Sequence, residues 1–399
     1  MNDISTMLPP LGKSGGAGEQ LRAGTDGART KTGPLCRRQL CFILAFILPV
    51  SKLLEAPSLL AYFSKGDLLV PAFFHYALQT GVLIALLYAC SRSEKTLFER
   101  LCDVSKAYFV FSDLFPLLDV ERFANTAFFD TAPAVSAFLP FFLLSAFICV
   151  KDEKAIGRSA DLCMPIFLFS FFGLIFMALG EADFTELCPL FGSSAEANIK
   201  GVYHSFVHFS DTALMIPLLG AYRYEKGDGK RIVGAYAGGG SFVLLFLAVF
   251  YGVFGALAPR ETYAFDKIAR YFSALDVVGR VDLLLVYLIT VVLLYAYALP
   301  LQLAVICLCG ACGTKRYGKA EPALEEARKA DRRRLIFSLC INGATMIFVL
   351  TCARHYRLFY SLMTSKLFFV FPIFSVLLPL SFLLLKGDKK NEFKRKKRA

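Results

Sequence analysis

Apolar runs close to the ~20 residues that cross ~30 Å of hydrocarbon recur along almost the whole chain, separated by short polar, charge-bearing stretches. They predict ten spans: Gln39 to Phe63, Leu68 to Cys90, Tyr108 to Phe128, Thr131 to Val150, Leu162 to Leu179, Gly201 to Tyr222, Ile232 to Leu257, Asp282 to Cys309, Leu335 to Cys352 and Leu367 to Leu385. Two of these runs are interrupted. In the first, LPVSKLLEAPSLL places Lys52 and Glu55 between Pro49 and Pro57. Lys52 lies about 12 residues from either end of its run, or ~18 Å at ~1.5 Å per residue, which is near the midplane. A charge there costs on the order of 3 kcal/mol and ordinarily faces a cavity or a partner. Lys52 and Glu55 stand at i, i+3, so they either neutralise each other or belong to a site.

The sixth run, HSFVHFSDTALMIPLLG, carries His204, His208, Ser210, Asp211 and Thr212, followed by Pro217. It is read either as a polar cap at the span's end or as a second break. Taken as breaks, the two interruptions fall in the first span of each five-span half. Paired discontinuous helices of this kind mark inverted-repeat transporters, whose substrate site lies between them. The expected fold is therefore an all-α polytopic membrane protein with ten transmembrane helices, a 5+5 inverted repeat, and broken helices one and six.

Charge placement tests the span count independently, because Lys and Arg beside spans stay on the cytoplasmic face. With both termini cytoplasmic, three quarters of the 44 Lys and Arg fall in cytoplasmic segments; Lys52 and Arg122 lie within spans. The net charge of +12 is thus mainly a topology signal. Nucleic-acid binding is not expected, since no aromatic-basic patch or DNA-reading motif stands outside the spans. Composition agrees with a membrane protein: 399 residues, 56% hydrophobic, 19% charged, with 40 Phe and no Trp.

Three divisions are expected. Residues 1–35, rich in Gly, Ser, Thr and Pro, form a disordered cytoplasmic tail, residues 36–386 the transmembrane domain, and residues 387–399 a basic cytoplasmic tail that lies against anionic lipid or stops transfer. Of twelve cysteines, only Cys188 falls in an expected outer loop, so structural disulfides are not expected. Cys307, Cys309 and Cys312 have a C-x-C-x-x-C spacing but no nearby His, and small buried residues are the expected reading over metal. With four His and no H-E-x-x-H, G-x-S-x-G or phosphate-cradling loop, no enzyme activity, cofactor or metal is expected.

The third span adds Asp113, Asp119 and Arg122, with Asp119 and Arg122 at pairing distance on one helix face or solvated in a vestibule. The eighth carries Tyr287, Thr290, Tyr295 and Tyr297, which either line a pathway or form a packing stripe. Gly238, Gly239 and Gly240, inside the seventh span, suggest close helix packing. The segment RETYAFDKIARYFSALDVVGR is amphipathic and is expected to lie along the outer interface.

Several stretches together carry a family resemblance. They are RRQLCFILAFILPVSKLLEAPSLLAYFSKGDLLVPAFF, TAPAVSAFLPFFLLSAF with KAIGRSADLCMPIF, FTELCPLFGSSAEANIKGVYHSF, and KIARYFSALDVVGRVDLL. From about Arg38 to Gly310 the chain resembles the spore germination permeases, the B subunits of nutrient germinant receptors, within the amino acid, polyamine and organocation transporter superfamily. The resemblance implies a leucine-transporter-like bundle with a small-molecule pocket between spans one, three, six and eight. It points to Pro49, Val50, Ser51, Lys52, Glu55, His208, Ser210 and Asp211 as ligand-binding or coupling residues; Asp119, Arg122 and Tyr287 join them as pocket candidates. Val50 and Ser51 stand where the resemblance implies glycine. It further implies a nutrient ligand such as an amino acid, a bacterial cell or inner spore membrane location, and two protein partners: a larger subunit with cytoplasmic domains and a lipoprotein subunit. The function expected is receptor binding that triggers germination, or alternatively proton-coupled transport of amino acids or polyamines.

Overall fold

The computed structural model describes residues 35–92, 122–123, 133–189, 191–222, 224–225, 227–271, 281–309, 324–355, 369–377 and 379–380. Most of the third expected span, with Asp113 and Asp119, much of the tenth, the N-terminal tail before Leu35, the C-terminal tail and Cys312 lie outside these residues. The elements described are helical, and the one β-bridge among them joins Leu35 to Tyr222.

In chain order the helices are α1 (Arg37–Leu53), α2 (Ala56–Ser64), α3 (Leu69–Arg92), α4 (Ala134–Val150), α5 (Glu153–Leu179) and α6 (Ala195–Ser205). There follow α7 (Asp211–Ala221), α8 (Asp228–Phe254), α9 (Ala264–Tyr271), α10 (Val281–Leu308) and α11 (Leu324–Arg354). Among the described residues, five helices are long and apolar enough to cross a membrane, within α3, α5, α8, α10 and α11. A sixth span results if α1 and the helix that follows it are taken together. The chain is an α-helical membrane protein.

Both expected interruptions are present as helix breaks. Pro49 cannot donate to the carbonyl four residues back, and the turn before it, Ile43–Ile47, widens to a π turn. The helix then tightens over Ser51–Leu53 and stops, and α2 leaves at 63° to α1. Pro57 sits in the first turn of α2, where its missing N–H costs nothing. The break is therefore at Leu54 and Glu55, later than the stretch from Pro49 to Lys52 that the sequence suggested. The second break separates α6 from α7 over Phe206–Ser210, with Pro217 inside α7.

α8 packs against α1 and α3, and α10 against α4 and α5. The close packing read from the glycine run resolves to two of its three members. A Cβ at Gly239 would stand 2.8 Å from both the Leu44 carbonyl oxygen and the Pro49 ring, and one at Gly240 2.8 Å from the Tyr76 ring, whereas Gly238 faces open space. Beside this contact Phe46, Phe167, Phe171 and Phe242 interlock with ring centroids 5.4–6.1 Å apart, filling the space between α1, α5 and α8.

The start of α1 is fastened on two sides. Arg37 pairs with Asp228 of α8 at 2.9 Å, and the Tyr222 hydroxyl donates to the same carboxylate. Arg38 pairs with Asp161 of α5 at 3.1 Å, where the Gln39 side chain also donates at 3.0 Å.

The apolar face of α9, in the segment expected to be amphipathic, is covered by protein: Ala264, Phe265, Asp266, Ile268 and Ala269 are buried. The reason is the first break, which frees the Leu54 carbonyl from the helix ladder. The Ala264 amide donates to it at 2.8 Å, and the apolar face of α9 fills the adjoining space.

Candidate functional site

Lys52 is 1% exposed, and its ammonium lies 2.7 Å from Asp211 Oδ1 and 2.9 Å from the Leu48 carbonyl oxygen. The same ammonium sits 5.7 Å from the centroid of the Phe209 ring. On the other carboxylate oxygen of Asp211, the Tyr236 hydroxyl donates at 2.8 Å. An ion pair this deep is tolerable only with further hydrogen bonds around it; the Leu48 carbonyl takes a second ammonium proton and the Tyr236 hydroxyl donates to the second carboxylate oxygen.

This pair replaces the one suggested by sequence proximity. Helical side chains lean toward the N-terminus of their own helix, so Lys52 reaches back a turn to Leu48, while Glu55 begins the redirected segment. Glu55 is half-buried, and among the described residues its carboxylate has no ion-pair partner.

A cavity of about 60 Å³ lies on the Asp211 side of the pair, lined by Ser51 and Leu48 of α1, His208 and Ser210 of the second break, Asp211, and Tyr297 of α10, with apolar walls from neighbouring residues; Lys52 does not line it. Ser51 donates to the Leu48 carbonyl at 3.0 Å and Ser210 to the Phe206 carbonyl at 2.7 Å, while the Tyr297 hydroxyl reaches the Ser51 carbonyl at 3.4 Å. The hydroxyl lone pairs of both serines remain as acceptors beside the carboxylate.

The other expected site residues divide. Pro49 is buried at the α1/α8 contact. Val50 faces a second, smaller apolar cavity of about 10 Å³ with Leu53, Leu54, Phe265 and Ile289. Arg122 is half-buried and does not line the main cavity, although its neighbour Phe123 reaches the smaller one. Tyr287 is 53% exposed and turned away from the cavity; Tyr297, farther along α10, occupies the wall instead. Asp119 lies outside the described residues.

Sequence reasoning missed a polar face on α3. His75 Nε2 lies 3.0 Å from the Val202 carbonyl oxygen, an acceptor only, so that nitrogen carries the hydrogen. The His75 ring stacks on Phe209 at 4.7 Å, on the residue that also meets Lys52. One turn on, Gln79 Oε1 accepts from the Thr212 amide at 3.1 Å, and the Thr212 hydroxyl donates to the Ser375 carbonyl. The signal available was the i, i+4 spacing of His75 and Gln79 within an apolar run. Tyr236, beside the glycine run, carried no such mark.

Tyr236→Phe is expected to leave Asp211 one donor short and to destabilise the protein by about 1.5–3 kcal/mol, the usual worth of a hydrogen bond to a charged group. The check is the thermal midpoint of the detergent-purified protein, and an unchanged midpoint would mean that water takes over the bond.

No curated protein matches this chain. The family model described as spore germination protein, a spore permease family, matches residues 83–309, from the later turns of α3 to the end of α10. That stretch is more than half the chain and contains Asp211, Tyr236 and Tyr297, so the polar wall opposite Lys52 falls within the matched region. On this match, the chain belongs to the spore germination protein family.

Proposed function

We propose that the protein is the membrane-embedded subunit of a nutrient germinant receptor, binding a small nutrient such as an amino acid between its two broken helices and so triggering germination. The observation that carries this reading is the Lys52–Asp211 pair at 2.7 Å, which joins α1 to α7 beside a polar cavity. Charged groups in mid-span are costly, and a pair bridging two interrupted helices fits a ligand-responsive element better than a passive staple. Ligand at this wall shifts the balance between two arrangements of the broken helices only if it meets them differently. In the ten-span, 5+5 architecture these helices are the first of each repeat, with both termini cytoplasmic. Residues such as Arg37 and Arg38 then stand on the face where a larger subunit with cytoplasmic domains reads out the change, while a lipoprotein subunit completes the receptor in the inner spore membrane.

A second reading, proton-coupled transport of amino acids or polyamines, draws support from Asp211, a titratable carboxylate on the cavity wall. Uptake of a labelled amino-acid panel into proteoliposomes containing only this protein, with binding to the detergent-solubilised protein in parallel, separates the two. Binding without uptake is the expected result. Saturable uptake driven by a proton gradient makes the protein a transporter.

A further inference from the structure

We propose that Phe191 is a membrane anchor: the strap between α5 and α6 presents its ring to lipid at the boundary opposite Arg37 and Arg38, and the buried Asp67 clasps the strap in that pose. Through the clasp, lipid contact is tied to the ends of α2 and α6.

Two helices measure where the strap lies. Arg38 pairs with Asp161 of α5 and Arg37 with Asp228 of α8, which marks one end of the bundle. At ~1.5 Å per residue, Leu179 stands ~27 Å along α5 from Asp161, and Gly252 ~36 Å along α8 from Asp228. The Asp183 amide of the strap donates to the Gly252 carbonyl at 2.8 Å, so the strap belongs to the second end. A hydrocarbon core of ~30 Å falls between these two lengths, which puts the strap at a water–lipid boundary.

The neighbouring surface says what covers the ring. Phe169, Phe172, Phe176 and Leu179 are exposed at three- and four-residue spacing, on one face of a helix long and apolar enough to cross a membrane. That face meets lipid, and the strap continues it with Phe184, 43% exposed, and Phe191, 73% exposed. Between and beside these rings Glu181, Asp183 and Glu186 are exposed as well. Rings that enter lipid while nearby carboxylates stay in water need a boundary, where an apolar surface sinks only ~5–10 Å. An apolar protein face laid over the strap would have to bury the carboxylates too, at a desolvation cost that lipid contact by the rings alone avoids.

The backbone shows that the pose is held in place. Phe191 has φ 64°, a region that a residue with a Cβ rarely adopts and that persists only where the surroundings over-determine it. Asp67, 1% exposed, supplies the constraint. Its two oxygens accept from the Phe191 and Ser193 amides, each at 2.6 Å, and the Ser193 hydroxyl donates to the Ser64 carbonyl at 2.8 Å. Ser64 ends α2, and α6 begins at Ala195. One carboxylate therefore joins the anchored turn to a segment of each interrupted span, α2 beyond the first break and α6 before the second.

The chain has no Trp, so Phe191→Trp supplies a single indole whose emission reports its surroundings. The purified full-length variant is placed in phosphatidylcholine vesicles, with or without bromine on the upper part of the acyl chains, and titrated with aqueous iodide. At least a twofold loss of emission in the brominated vesicles, with little quenching by iodide, is expected. Glu181→Trp, on the same strap, is expected to show the reverse. Strong iodide quenching without bromine quenching at position 191 overturns the proposal and leaves the ring to a protein partner. Equal bromine quenching at positions 191 and 181 overturns it as well, because the strap as a whole would then be immersed. Adding Asp67→Asn to Phe191→Trp is expected to cut the bromine quenching by at least half, and unchanged quenching overturns the clasp. If that variant is not monodisperse, Ser193→Ala, which removes only the bond to Ser64, is read by the same criterion.

Discussion

Lys52→Met is expected to lower the stability of the protein by about 3–5 kcal/mol, the usual cost of removing one partner from a buried ion pair, and Lys52→Met/Asp211→Asn is expected to regain most of that loss. The asymmetry follows from what each change leaves behind. The single substitution strands a carboxylate that is 4% exposed and held only by the Tyr236 hydroxyl at 2.8 Å. The double substitution removes both charges, and methionine fills most of the lysine's volume. Monodisperse yield and thermal midpoint in detergent, compared across wild type, both single variants and the double, give the result as a coupling energy. Losses in the two single variants that simply add in the double would show that the residues act separately.

Gly239→Val should destabilise the α1/α8 contact severely, while Gly238→Ala one position earlier should be neutral or mildly stabilising. A Cβ at Gly239 meets the Leu44 backbone oxygen and the Pro49 ring at 2.8 Å and the Ala45 oxygen at 3.1 Å. Neither a main-chain carbonyl in a π turn nor a proline ring can swing aside, so overpacking of about 1–3 kcal/mol is expected even for alanine, and more for valine. Gly238 has nothing within 4 Å, and replacing a helical glycine by alanine gains up to ~1 kcal/mol in helix propensity. Matching thermal midpoints for the two variants would refute the close approach.

The breaks were legible in the chain because proline and clustered polar residues disturb an apolar run wherever they fall. The partner of Lys52 was not. Local spacing nominates residues three or four positions away, and it nominated Glu55, whereas the residue that closes the pair is 159 positions distant. Tyr287 and Tyr297 show a second limit. In a helix apolar on every side, nothing in the pattern says which tyrosine faces inward, and ten positions of helix carry the two onto different faces. Helix α9 shows a third: its amphipathic pattern was legible, but periodicity does not say that the flank of a broken helix covers its apolar face.

The contact between Leu54 and Ala264 runs from main chain to main chain. No exchange of one ordinary side chain for another at either position removes the donor or the acceptor; only proline at 264 deletes the N–H. Side chains around the first break can therefore change while α9 stays tied to the bend. A spectroscopic label on the exposed Tyr271 end of α9 would follow movements of that bend without occupying the cavity.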